Sequence, residues 1–111
     1  MNRAILSKQI NEELIAKLKN DPKAFSSFLQ NQNDGVIIFV LEKLGRLENG
    51  YSKEPLQNLL NHSNENIRAL SIKNLAKIKD INLLPIFIKY ASADESTIVR
   101  REAVSAIGRL R

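Results

Sequence analysis

The sequence predicts an all-helical chain built from repeated helix pairs, and three observations carry that expectation. A four-residue phrase, aliphatic, small, basic, aliphatic, occurs four times: Ile15, Ala16, Lys17, Leu18; Leu44, Gly45, Arg46, Leu47; Leu75, Ala76, Lys77, Ile78; and Ile107, Gly108, Arg109, Leu110. Successive copies lie 29, 31 and 32 residues apart, and self-similarity at such a period marks a repeat architecture. Between the copies stand shorter apolar segments, each with a proline near its start, and no run alternates as a strand would.

Each copy of the phrase closes a longer amphipathic segment, called here an A helix. The first, residues 3–19, is loose, with Ile5, Ile10, Leu14, Ile15 and Leu18 at irregular steps. The second, 35–48, places Val36, Ile37, Val40, Leu41, Leu44 and Leu47 on one face at steps of three and four. The third, 64–79, does so with Ile67, Leu70, Ser71, Ile72, Leu75 and Ile78, and the fourth, 96–111, with Val99, Ala103, Val104, Ala106, Ile107 and Leu110. The intervening B helices begin at Pro22 before AFSSFL, at Pro55 before LQNLL, and around Pro85 within LLPIFIKY. Proline suits a first helical turn, where the amide it lacks has no intrahelical partner. Asp21, Ser52, Asn64 and Ser96 are the expected N-caps, and Gly50 with the stretches NQND, NHSNEN and ASADES supplies connections. The expected order is A, B, A, B, A, B, A: seven helices and no sheet.

The 111 residues suit one domain, and 43% apolar residues with 5% aromatic allow a core of aliphatic side chains. With no cysteine there is no disulfide framework, thiolate metal site or cysteine nucleophile. The start, MNRAILSKQINEELIAKL, is too often interrupted by charge to be a secretory signal or a membrane span, so a cytoplasmic protein is expected. The glycosylation-like triplet Asn61, His62, Ser63 then reads as coincidence. A net charge of +5 favours an anionic partner, either nucleic acid or an acidic protein surface.

The stretches NENIRALSIKNLAKIKD and ESTIVRREAVSAIGRLR resemble HEAT repeats, in particular the short bacterial kind similar to those of phycobilisome lyases. The resemblance rests on Ile67 with Arg68 and their counterparts Val99 with Arg100, on the small Ser71 and Ala103, and on the closing phrase with a proline-bearing helix after it. It implies a right-handed α-solenoid of antiparallel helix pairs, about three and a half repeats at roughly 3–31, 33–62, 64–94 and 96–111. It also implies that Arg68 and Arg100 are structural links between neighbouring repeats, and that the A helices form the convex side while the B helices line the concave one. The second repeat departs by carrying Ile37 at the arginine position. The last A helix has no B helix after it, so Ile98, Ala106, Ile107 or Leu110 should be partly exposed. The chain is accordingly expected to be the N-terminal part of a longer protein, the other option being end-to-end self-association through that helix.

Two sets of candidate binding residues follow. Lys17, Arg46, Lys77 and Arg109 share one place in the phrase and should form a basic ladder along one edge, thickened by Lys19, Lys79 and Arg111. Cations near helix C-termini also complement the macrodipole without any ligand. The A segments hold 14 basic and 6 acidic residues and the remainder 3 and 6, so the positive face is expected on the outside. A cradle for nucleic acid would put its cations on the inner helices instead. The concave face is represented by Gln57, Asn58, Asn61 and Lys89.

No catalytic, metal or cofactor chemistry is expected: His62 is the single histidine, in a loop without ligand-spaced neighbours. Gly45 and Gly108 are read as small residues that let helices approach. The expected function is a non-catalytic scaffold holding a protein partner on the concave face. The alternative is a nucleic-acid-binding or targeting arm of a larger DNA- or RNA-acting enzyme that uses the basic ladder. More distant is a subunit of an enzyme resembling the phycobilisome lyases.

Overall fold

The computed structural model describes residues 3–110; Arg111, assigned above to the basic ladder, lies outside them. The order is α1 (Arg3–Gln9), α2 (Glu12–Lys19), α3 (Pro22–Gln30), α4 (Asp34–Lys43), α5 (Glu54–Asn58), α6 (Glu65–Lys77), α7 (Leu84–Ala93) and α8 (Thr97–Arg109). Two 3-10 turns, Leu59–Asn61 and Ile81–Leu83, follow α5 and lead into α7. Among the described residues there is no strand. The fold is an α-solenoid with α2, α4, α6 and α8 as A helices and α3, α5 and α7 as B helices.

Among the described residues eight α-helices stand where seven are expected, because the first A segment is broken. Ile10 turns inward and is buried, and the Asn11 side chain accepts a hydrogen bond from the Leu14 amide at 2.9 Å, starting a new helix. An asparagine cap followed by Glu12 and Glu13 satisfies orphan amides and favours the positive end of the helix dipole. The break lets α1 pack on α4 while α2 packs on α3.

The second A helix is also shorter than its expected 35–48. It ends at Lys43, and Gly45 has φ +66°, the left-handed region that closes many helices. A Cβ on Gly45 or on Gly108 would meet nothing within 4 Å, so neither glycine serves close helix approach, contrary to the sequence reading. Gly45 supplies a backbone conformation instead.

Asp21, Asn64 and Ser96 cap α3, α6 and α8, accepting from the amides of Ala24, Asn66 and Val99. Ser52 does not cap α5: Lys53 occupies that position with no side-chain cap bond, and Pro55 sits in the first turn. Asn33, within the NQND connection, caps α4 by accepting from the Val36 amide at 3.0 Å.

The core is continuous along the stack. α6 lies between α4 and α8, α3 packs on α5, and α7 packs on α8. Phe25 and Phe87 anchor the B side, with Val40, Ile67, Ile72, Leu75 and Val99 fully enclosed on the A side. Full burial contributes roughly 1.5–3 kcal/mol for each such aliphatic side chain. The whole measures 37 × 28 × 20 Å.

Candidate functional site

The helix ends arrange the basic residues less regularly than a ladder. Arg46, Lys77 and Arg109 line one cleft of about 570 Å³ together with Lys79 and Glu48. Lys17 is exposed on α2 and does not line it. Arg46 lies beyond the end of α4, in the loop, and its guanidinium is 3.3 Å from the exposed Glu48 carboxylate.

Lys19 and Lys77, from the repeats on either side, converge on the loop after α4. Lys19 Nζ donates to the carbonyls of Leu44, at 3.0 Å, and Arg46. Lys77 Nζ donates to the Gly45 carbonyl and to Asn74 Oδ1, both at 2.9 Å. Three successive carbonyls in the loop that leaves α4 thereby accept from cations of the neighbouring repeats. Partial burial, followed by the charges of Lys73, Arg109 and Lys19, pulls the Lys77 pKa below the ordinary lysine value.

Asn74, buried in α6, reaches across to α4 and donates to the Leu41 and Leu70 carbonyls at 3.0 Å. The sequence reading passed over it. Its signal was a polar residue on the same helical arc as Ile67, Ser71 and Ile78. Ser71 on that arc is satisfied locally, donating to the Ile67 carbonyl at 2.7 Å.

Arg68 makes the densest polar contact. Its Nε and Nη2 donate to the two Asp94 carboxylate oxygens at 3.0 Å, and its Nη1 donates to the carbonyls of His62 and Ser63. The pair ties α6 to the loop before α8, with the two side chains only 9% and 6% exposed. Burial alone would raise the Asp94 pKa. The hydrogen bonds from Arg68 and the Ser96 amide, with the charges of Arg68 and Arg100, outweigh it and hold that carboxyl below the usual range. At the position of Ile37 no such pair can form. There His62 lies 3.5 Å from Asp34, and Asn64 Nδ2 donates to the same carboxylate at 3.1 Å. The link thus reverses polarity, with the acid at the start of the A helix and the imidazole in the loop after the B helix.

The four residues read as concave divide among three clefts. Gln57 faces the loop 49–54 and the turn before α7, where Lys53 pairs with Asp80. Asn58 lies between α3 and α5 beside Ser26, Gln30 and His62. Asn61 and Lys89 come together in a cleft of about 510 Å³ between the turn Leu59–Asn61 and α7. The floor of this last cleft is fixed by the Arg68–Asp94 pair and by Tyr90, whose hydroxyl donates to the Leu60 carbonyl at 3.1 Å. Its exposed rim carries Asn61, Ser63, Lys89 and Glu95, so it offers both signs of charge and amide groups around a rigid base.

Among the described residues no cluster of three or more histidines, aspartates or glutamates is placed to hold a metal, and no helix is long and apolar enough to cross a membrane. No curated protein and no solved structure matches the chain. The description of one family, HEAT repeats, matches residues 22–108. With α4, α6 and α8 stacked in succession, each ending in or before one copy of the recurring phrase, the chain belongs to the HEAT repeats.

Proposed function

We propose that this chain is a non-catalytic interaction scaffold that receives a segment of a partner protein in the cleft between Leu59–Asn61 and α7. HEAT repeats generally mediate protein interaction, and the chain shares that general role. The reading of this particular cleft is carried by one observation: Asn61 and Lys89 line the same cleft as the Arg68–Asp94 pair. A floor fixed before binding lowers the ordering cost of association, and an amide, a cation and a carboxylate on the rim can engage a peptide backbone and its polar side chains. An extended segment of about eleven residues at ~3.3 Å each would span the 37 Å length of the molecule.

A photo-crosslinking amino acid placed at position 61 or 89, with position 17 as control, tests this in the cells that make the protein. Discrete adducts from 61 and 89 but not 17, weakened at 61 by Lys89→Glu, are expected. Adducts from position 17 alone would refute it.

A second reading, phosphate contact by nucleic acid, rests on the cleft of Arg46, Lys77, Lys79 and Arg109. It is the weaker one, because Lys77 already spends donors on Gly45 and Asn74. Titration with a labelled oligonucleotide should then show affinity that falls steeply with salt and is lost on Arg109→Glu. Affinity that ignores both sinks this reading.

A further inference from the structure

Asn49 and Gly50 occupy the tip of the loop between α4 and α5, and both are exposed. The Tyr51 amide donates to the Glu48 carbonyl at 3.0 Å, closing a turn in which Gly50 takes φ +91°, a conformation that glycine adopts without a Cβ penalty. Among the described residues no hydrogen bond engages the Asn49 carboxamide, and none engages the Gly50 amide. The electrophile and the nucleophile of one small ring are thus adjacent and both unoccupied.

No other asparagine in the chain precedes a glycine. Asn11, Asn33 and Asn64 spend their carboxamides as helix caps, and Asn74 is buried on the Leu41 and Leu70 carbonyls. Asp34 does precede Gly35, but it lies inside α4 and its carboxylate accepts from Asn64. Glycine matters at the following position because a side chain there would crowd the approach of its nitrogen to the carboxamide carbon. Asn49 also lines the cleft of Arg46, Lys77, Lys79 and Arg109, with Glu48 as the acid already present.

We propose that Asn49 is a self-modifying site that turns to aspartate and isoaspartate with no enzyme, setting a new carboxylate in that basic cleft as the protein ages. The Gly50 nitrogen bonds to Asn49 Cγ and the Cγ–Nδ2 bond breaks; ammonia leaves, carrying the proton that the Gly50 amide gives up. Water then opens the cyclic imide. Cleavage at Cγ yields aspartate on the ordinary backbone, and cleavage at the Asn49 carbonyl carbon yields isoaspartate, whose chain runs on through Cγ. Nothing is oxidised or reduced. Turning the carboxamide toward the Gly50 nitrogen disrupts at most the bond from Tyr51 to Glu48, and an exposed turn opens at little cost. The loop stays anchored by Lys19 on Leu44 and Arg46 and by Lys77 on Gly45, so the charge arises in a folded protein. Each event lowers the net charge of +5 by one. The chemistry needs neither a partner at Asn61 and Lys89 nor a phosphate in the basic cleft.

The full chain is incubated in mildly alkaline buffer beside the free peptide of residues 47–53, the segment that trypsin releases between Arg46 and Lys53. Peptide mapping should show 47–53 splitting into aspartate and isoaspartate forms, each heavier by the difference between a hydroxyl and an amino group. The expected rate in the folded chain is within about tenfold of the free peptide's, because local opening of an exposed turn costs little. Over the same period the other asparagines, and the segment 24–43 that contains Asp34 and Gly35, should stay unchanged. An acidic band in isoelectric focusing should grow in step with the conversion. Gly50→Ala should slow it by about tenfold or more, and Asn49→Gln, whose longer side chain must close a larger ring, should abolish both the conversion and the band. Circular dichroism checks that both variants remain folded. An Asn49 that outlasts the free peptide's by more than about tenfold, conversion centred on another asparagine, or an acidic band that Asn49→Gln still forms overturns the proposal.

Discussion

Removing the Asp94 carboxylate should be among the most damaging single changes available at the repeat junctions. Asp94→Ala takes away two charge-assisted bonds at 3.0 Å and the acceptor that holds the Ser96 amide at 2.8 Å. It leaves the Arg68 guanidinium with two donors unpaired at a side chain only 9% exposed. Breaking a buried pair by deleting one partner costs about 3–5 kcal/mol, and a site forming a cleft floor belongs near the lower end, about 3 kcal/mol. With a urea slope of about 2 kcal/mol/M, the midpoint should fall by roughly 1.5 M. The double change Arg68→Met with Asp94→Leu removes both charges and should recover most of that loss, coming within about 1 kcal/mol of the parent. Chemical denaturation followed by circular dichroism reads all variants, and an unchanged slope shows that the same unit is unfolding. A cost below about 1 kcal/mol for Asp94→Ala, or a double variant as weak as the single, would refute the claim that this pair locks α6 to α8.

Acid should erase the same contribution. Because the folded Asp94 pKa is depressed, its stabilisation is complete above the ordinary carboxylate value of about 4 and disappears as pH falls through the lower folded value. The stability gap between the parent and Asp94→Asn should therefore close on acidification; a gap of constant size down to about pH 2 would count against it. Lys79 holds φ 55° while exposed between α6 and the next turn, so Lys79→Gly should raise stability by about 0.5–1 kcal/mol, and a lowered melting temperature contradicts this. Gly45→Ala, at φ +66°, should cost about 1 kcal/mol by the same strain, checked in the same melt. Tyr51 has a buried hydroxyl with no hydrogen-bond partner among the described residues, and burial raises its pKa. Tyr51→Phe should therefore be neutral or stabilising by up to about 1 kcal/mol, and a loss beyond that in urea would mean the hydroxyl has a partner.

Most of the helices were legible because period, proline and cap agree there. In α3, Asp21, Pro22 and the pair Phe25 and Leu29 all point to one start and one face, and α6 and α8 repeat the same logic from Asn64 and Ser96. The failures occur where one local signal had two meanings. Gly45 and Gly108 hold the same place in the phrase, yet only Gly45 adopts a positive φ, ending α4 while α8 continues through Gly108. The first helix broke because Ile10 stays buried while Asn11 caps, so apolar spacing runs across a boundary that only the cap marks. Ladder residues could not be sorted by sequence either. Whether a lysine meets solvent or a neighbour's carbonyl depends on how helix ends align across repeats, and that alignment brought Lys19, rather than Lys17, to the loop after α4. Lys89 and Asn61 lie 28 positions apart and line one cleft only because α7 folds back beside the turn after α5.

The two polar junctions along the stack are of unequal strength, and this gives the molecule a direction. Toward α8 the junction is a bidentate pair of nearly buried side chains; toward α4 it is a 3.5 Å approach of His62 and one amide bond to the half-exposed Asp34 side chain, supported by lysine tips on carbonyls. In a linear array, stability sums over units and the contacts between neighbours, so opening begins at the weaker joint. The chain should peel from the α1–α3 end while α6, α7 and α8 remain assembled, making that half the folding template on which the rest is laid down.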